Sequence, residues 1–79
     1  MLNVKILGSG CANCKRLEQN VRAVAGKHNL ELEIEKVTDY ADIMKWPILS
    51  TPGLVINGRL VSAGNIPNDQ QLLEWLNQA

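Results

Sequence analysis

The segment "GCANC", residues 10–14, places two cysteines three positions apart, and these are the side chains of the sequence best suited to chemistry. Two thiols at this spacing can exchange electrons with a disulfide, supply two ligands to a soft metal ion, or close a structural bridge. Because a spacing of three on a helix brings side chains to one side, the sulfurs lie within reach of a disulfide. Which of these uses applies depends on the secondary-structure elements that position the two cysteines.

The two cysteines are expected to ionise differently. Cys11 follows Gly10 and opens a predicted helix, where free N–H groups and the positive end of the helix dipole stabilise a thiolate. Cys14 falls on the apolar stripe of the same helix, and burial raises the pKa of a thiol. The pattern therefore predicts a reactive, ionised Cys11 and a buried, protonated Cys14, which is the division of roles that attack and resolution require in disulfide exchange.

The elements around the pair are predicted from hydrophobic periodicity. "LNVKIL", residues 2–7, alternates and ends at a Gly-Ser-Gly cluster, so it predicts a strand and a loop. The following helix is predicted to end near His28 and Asn29. Its apolar stripe consists of Cys14, Leu17, Val21 and Val24.

The second half of the chain predicts a strand, a short helix, a hairpin and a last helix. "LELEIEKV", residues 30–37, alternates strictly and indicates an edge strand, with Lys5 of a neighbouring parallel strand placed to neutralise part of its glutamate face. "TDYADIMKW" predicts a helix of about two turns capped by Thr38 or Asp39. Asn57-Gly58 predicts a type I′ hairpin turn, and Pro67 suits the first turn of the C-terminal helix.

Composition limits the classes of protein that fit. The 79 residues are 46% hydrophobic and 20% charged with formal net charge +0, which is typical of one soluble globular domain over 1–79. No basic excess favours nucleic acid as a partner. The N-terminal apolar run is too short for a signal peptide or a membrane span, so we expect a cytoplasmic protein without a membrane partner. In that compartment a lone cysteine pair favours redox chemistry or metal binding over a structural role.

Four features together resemble the thioredoxin superfamily, in particular its small, glutaredoxin-sized redox disulfide proteins. They are "GCANC" at a strand-to-helix turn, "STPGLVI" further along the chain, "NG" in the hairpin, and Gly64 before the last helix. The resemblance covers essentially the whole chain. It implies an α/β fold of the order βαβαββα, with a four-stranded mixed sheet flanked by three helices.

The resemblance also implies roles for individual residues. Cys11 would be the attacking cysteine of a thiol–disulfide oxidoreductase and Cys14 the resolving one. Thr51 and Pro52 would form a cis-proline element beside them whose backbone pairs with the substrate, and Ala12 and Asn13 would also contact it. No cofactor or metal beyond the Cys11–Cys14 disulfide is implied. The expected partners of this monomer are disulfide-containing proteins and a reductase that the sequence does not identify.

Two other functions remain open at this stage. The first is a soft-metal carrier that binds Cu(I) or Zn(II) through the two thiolates. A closed tetrahedral site would then need a second chain, since His28 lies about 25 Å from Cys11 along the helix. Copper chaperones moreover end in a strand, whereas this chain is predicted to end in a helix. The second is an interaction module in which the disulfide is a bystander.

Overall fold

The computed structural model describes residues 2–8, 12–48 and 50–78, and the elements follow the predicted order. Those elements are β1 (Leu2–Leu7), α1 (Ala12–Lys27), β2 (Leu32–Val37), α2 (Tyr40–Ile43), β3 (Gly53–Ile56), β4 (Arg59–Ala63) and α3 (Asp69–Gln78). The predicted fold class, α/β with a four-stranded mixed sheet and three helices, is confirmed.

The strands form a sheet of order β2-β1-β3-β4. β1 runs parallel to β2 and antiparallel to β3, and β4 runs antiparallel to β3. The predicted edge position of β2 is therefore confirmed. In its register Lys5 lies opposite Glu35, and Lys5 Nζ is 3.8 Å from Glu35 Oε2, so this predicted pairing is also confirmed. As a solvent-exposed pair it contributes little to stability.

Alternation along β1 and β3 divides the core between the two faces of the sheet. On the first face α1 and α3 pack together over the sheet; its buried residues are Val4, Ile6, Leu17, Val21, Val24, Leu54, Ile56, Leu72 and Leu76. On the second face α2 and the segment after it cover a smaller cluster of Leu7, Val37, Ile43, Ile48 and Val55. Both clusters meet β1, whose C-terminal end leads to the cysteine pair.

The junction between α1 and β2 differs from the sequence-based prediction. β2 begins at Leu32, and Leu30 lies in the segment that caps the C-terminal end of α1. Asn29 has a φ of 55°, and the Leu30 N–H donates to the Ala25 carbonyl at 2.8 Å, which is the Schellman arrangement that ends many helices. Leu30 continues the alternating pattern of β2 in the sequence, but in the structure its N–H caps the end of α1.

The starts of the two other helices are set by capping side chains. Asp39 Oδ1 accepts a hydrogen bond from the Ala41 N–H at 2.9 Å and caps α2, which is a single turn and not the predicted two. Asn68 Oδ1 accepts from the Gln71 N–H at 2.8 Å and caps α3. Pro67 therefore precedes the cap, and the prediction that it lies in the first helical turn is wrong.

The hairpin has the predicted turn. Asn57 and Gly58 have φ values of 51° and 83°, which are the two positive values of a type I′ turn. Asn57 also exchanges two hydrogen bonds with Asn3, donating its N–H to the Asn3 carbonyl at 2.7 Å and accepting the Asn3 N–H on Oδ1 at 2.9 Å. The turn is thereby fixed to the start of β1.

Candidate functional site

Cys14 lies in the first turn of α1 and is 5% exposed. The three apolar residues of its predicted stripe, Leu17, Val21 and Val24, are also buried, so the prediction that Cys14 faces the core is confirmed. Its sulfur is engaged in a disulfide. The sequence contains one further cysteine, Cys11, which lies outside the described residues.

Gly8, the residue after β1, packs directly against the sulfur of Cys14. A Cβ atom built on Gly8 would overlap Cys14 Sγ and would lie 3.4 Å from Cys14 Cβ. The Gly8 N–H donates to the Val37 carbonyl at 2.9 Å, which continues the parallel pairing of β1 and β2 and fixes the glycine in place. A residue without a side chain is thus required where the strand passes the buried sulfur.

The segment of Thr51 and Pro52, which precedes β3, approaches Gly8 as well. The Thr51–Pro52 peptide bond is cis, the isomer that the resemblance implies. Thr51 Cβ lies 3.8 Å from the position that a Cβ on Gly8 would take, so Gly8 is where Thr51 and Cys14 come together. The Pro52 ring is fully buried, and its carbonyl accepts a hydrogen bond from the Gly64 N–H at 2.8 Å.

Gly64 holds the proline segment against the end of β4. Its φ is 79°, and a Cβ there would overlap Ser50 Oγ. Both the backbone conformation and the close approach therefore require glycine. Of the other predicted site residues, Ala12 and Asn13 are exposed at the start of α1.

A partly apolar groove of about 290 Å³ adjoins Thr51. Its lining consists of Thr38, Tyr40, Ile43, Met44, Ile48, Ser50 and Thr51. Tyr40 is 73% exposed and Met44 55% exposed, although both are large apolar side chains. Sequence analysis did not single them out, because α2 was read there only as a short helix. Their exposure beside the proline segment makes this groove a candidate contact surface.

A smaller cavity of about 130 Å³ lies beside Cys14 on the α1 side. Its lining consists of Ile6, Gly8, Cys14, Lys15, Glu18, Lys36 and Thr38. Glu18 is bonded to two cations: Arg22 Nε donates to Oε2 at 3.0 Å, and Lys36 Nζ lies 3.3 Å from Oε1. The hydrogen bond from Arg22 is the main cause of the lowered pKa of Glu18; partial burial opposes it and Lys36 adds to it.

Sequence analysis did not identify Gly8, Glu18 or Lys36 as site residues. The spacing Cys14–Glu18–Arg22, four and four, was the available signal for Glu18, because it places all three on one side of a helix. Lys36 comes close only through the parallel pairing of β2 with β1.

Within residues 2–8, 12–48 and 50–78 there is no group of three or more His, Cys, Asp or Glu side chains that could hold a metal ion. His28 follows the last residue of α1, about 21 Å along the helix axis from Cys14. The same described ranges contain no helix long and apolar enough to cross a membrane.

Comparison with known proteins finds a matching family model and similar proteins. A model of a family described as a thioredoxin domain matches residues 2–77. A protein named thioredoxin from Methanothermobacter thermautotrophicus is 30% identical to this chain over 76 residues, which cover 96% of the chain and 99% of that protein. A second protein named thioredoxin, from Methanocaldococcus jannaschii, is 33% identical over 76 residues, covering 96% of this chain and 87% of its own length.

Proposed function

We propose that this chain, which belongs to the thioredoxin family, is a thiol–disulfide oxidoreductase that reduces or exchanges the disulfides of other proteins. The observation that carries the proposal is the disulfide-bonded sulfur of Cys14, buried at the start of α1 and packed against Gly8. The cis-proline segment of Thr51 and Pro52 meets the same glycine. In the proposal the bonded partner of Cys14 is Cys11, the other cysteine of the sequence.

The proposed reaction starts from the reduced pair. The Cys11 thiolate attacks one sulfur of a substrate disulfide, a mixed disulfide forms, and the other substrate sulfur leaves as a thiolate that takes a proton from water. Cys14 then loses its proton and attacks the sulfur of Cys11. The second substrate sulfur leaves, and the Cys11–Cys14 disulfide remains. Two electrons pass from the pair to the substrate, which becomes a dithiol.

The burial of Cys14 suits the resolving role. A thiol 5% exposed cannot be approached by a bulky substrate disulfide, whereas it can attack the sulfur of a cysteine three residues earlier in the chain. The attacking role therefore falls to Cys11. Helix N-termini stabilise thiolates, which supports this assignment from the position of Cys11 in the sequence, directly before the first residue of α1.

The substrate is proposed to lie across Thr51 and the start of α1. Pro52 is fixed by its hydrogen bond to Gly64, so the backbone of Thr51 is held ready to pair with an extended segment of substrate. Ala12 and Asn13 are exposed at the helix start and would contact the same segment. Tyr40 and Met44 would cover an apolar side chain next to the substrate disulfide.

The proposal needs no cofactor besides the cysteine pair. A dithiol or flavoprotein type of reductase must return two electrons after each turnover, and this partner is unidentified. We expect the protein to act as a monomer in the cytoplasm, where thiol pairs are kept reduced.

Single substitutions at the two cysteines test the proposal. Cys14→Ser should still attack substrate but should be unable to resolve, so it should accumulate a mixed disulfide with a disulfide-containing protein such as insulin. Cys11→Ser should form no such adduct. Non-reducing electrophoresis and mass spectrometry of the adduct measure both outcomes, and circular dichroism verifies that each variant is folded.

Equal trapping by both variants would contradict the attacking role of Cys11 and the resolving role of Cys14. A soft-metal carrier predicts a different result: no trapped partner, no disulfide reduction by the parent, and an equal loss of Cu(I) affinity in Cys11→Ser and Cys14→Ser. That combination would overturn the proposed function.

A further inference from the structure

The lining of the cavity beside Cys14 includes one carboxylate, that of Glu18. Cys14 and Glu18 are four residues apart on α1, so their Cβ atoms are about 5–6 Å apart. Both line the cavity of about 130 Å³. The carboxylate is bound through both oxygens, by Arg22 at 2.9 Å and by Lys36 at 3.3 Å, and is thereby held in position.

Glu18 is much less exposed than the cations that bind it. Its side chain is 15% exposed, whereas those of Arg22 and Lys36 are 59% and 61% exposed. Water and salt screen exposed charges more strongly than partly buried ones. At equal distance, the sulfur of Cys14 is therefore expected to respond more strongly to the carboxylate than to either cation. The lowered pKa of Glu18 keeps this carboxylate charged at neutral pH.

The other charged side chains of the cavity lining are the exposed cations Lys15 and Lys36. Among the described residues, the rest of the cavity lining from β1 is uncharged, and Lys5 is paired with Glu35 away from the cavity. Lys15, next to Cys14 on α1, lines the cavity and is exposed, so its effect is screened. Thr51, from the segment before β3, is uncharged.

We propose that Glu18 is a positioning residue that keeps the reduced Cys14 thiol protonated and so sets the pace of the resolving step. The inference rests on the proposed function, because Cys14 must lose its proton before it attacks the mixed disulfide. A negative charge held near a buried thiol opposes formation of the thiolate. The proton goes to solvent and Glu18 accepts none, since its low pKa makes it a weak base.

The size of the effect follows from the spacing on the helix. If the charge and the sulfur are separated by about as much as the two Cβ atoms, roughly 6 Å, a unit charge shifts a pKa by roughly half a unit in a water-like medium and by about two units at the effective dielectric of a protein surface. Loss of the carboxylate raises the thiolate fraction accordingly. Because nucleophilicity falls with pKa, the resolving step should become about two- to tenfold faster near neutral pH.

The test titrates Cys14 alone. In the Cys11→Ser background, Cys14 is the single cysteine of the chain, and its ionisation is followed by the ultraviolet absorbance of the thiolate against pH. Adding Glu18→Gln should lower the pKa of Cys14 by about half a unit to two units. The matched control is Glu74→Gln, which removes an exposed carboxylate from α3, outside the cavity lining, and should leave the titration unchanged.

An unchanged or raised pKa of Cys14 in the Glu18→Gln variant would overturn the inference. Should that variant fail to fold, Glu18→Ala gives the same test, since it also removes the carboxylate. A pKa of Cys14 that does not fall in that variant overturns the inference equally. The titration requires no reductase activity, so the inference and the proposed function can fail separately.

Discussion

Replacing Gly8 with alanine should destabilise the protein at the point where the strand passes the buried sulfur. The added Cβ would occupy the space of Cys14 Sγ, while its distance of 3.8 Å to Thr51 Cβ is an ordinary contact. The sulfur is engaged in a disulfide and its residue lies in a helix, so it has little freedom to retreat. The strand backbone must shift instead, although Gly8 is held by its hydrogen bond to Val37.

The magnitude follows from two opposing contributions. Overpacking of a buried site costs about 1–3 kcal/mol. Alanine in place of glycine also restricts the unfolded chain, which raises the free energy of unfolding by about 0.4–1 kcal/mol. A net loss of about 1–2 kcal/mol is expected in the oxidised protein. For a domain of this size each kcal/mol lowers Tm by about 4–8 °C.

The assay is urea unfolding of oxidised Gly8→Ala beside Gly26→Ala, the matched glycine-to-alanine control. Gly26 lies in α1, and apart from its chain neighbours and the backbone of its own helix no atom lies within 4 Å of the position its Cβ would take. Alanine there should stabilise the helix by about 0.5–1 kcal/mol. The two variants should therefore move in opposite directions. In the reduced protein the sulfur can rotate away, so the loss in Gly8→Ala should shrink.

A Gly8→Ala protein as stable as Gly26→Ala in the oxidised state would refute the packing argument. An equal loss in the oxidised and reduced states would refute the part that assigns the cost to the fixed sulfur.

Three further predictions concern other contacts. Gly64→Ala should cost at least as much as Gly8→Ala, because it combines a left-handed φ with overlap of Ser50 Oγ; a Tm equal to that of the parent would contradict this. Asn68→Ala should cost about 1 kcal/mol in urea unfolding, since the Gln71 N–H loses its cap, and Asn68→Ser should restore most of it. Glu18→Gln should lose a few tenths of a kcal/mol near pH 7. The pKa of Glu18 is lowered on folding, so the stabilisation by its carboxylate is present above the unfolded pKa and disappears as pH falls through the folded value. The difference in Tm between the parent and Glu18→Gln should therefore close in acid. A difference in Tm that does not depend on pH would contradict this prediction.

The sequence allowed most of the fold to be predicted, because its periodicities are unambiguous. The stripe through Cys14 and Leu17 placed one cysteine in the core, and Asn57-Gly58 identified the hairpin. The edge position of β2 followed from strict alternation. These signals are local, and each is carried by a pattern of side chains within one element.

Other features depended on contacts between elements and could not be predicted. A glycine in "GSG" indicates a loop, but only the position of Cys14 Sγ explains why Gly8 must lack a side chain. Glu18 acquires its role through Lys36, which a parallel strand brings to it. Leu30 fits the alternating pattern of a strand, but its N–H caps the end of α1. Cys11 lies outside the described residues, so its attacking role stays a prediction.

Thiol–disulfide exchange through Cys11 is measured by the rate at which the protein reduces insulin disulfides with dithiothreitol as the electron source. We expect the parent to accelerate the reduction well above dithiothreitol alone, and Cys11→Ser to give no acceleration. Glu74→Gln, which leaves both cysteines in place, should match the parent. A parent protein that is folded, is reduced by dithiothreitol and gives no acceleration over the reagent alone would rule out the proposed oxidoreductase function.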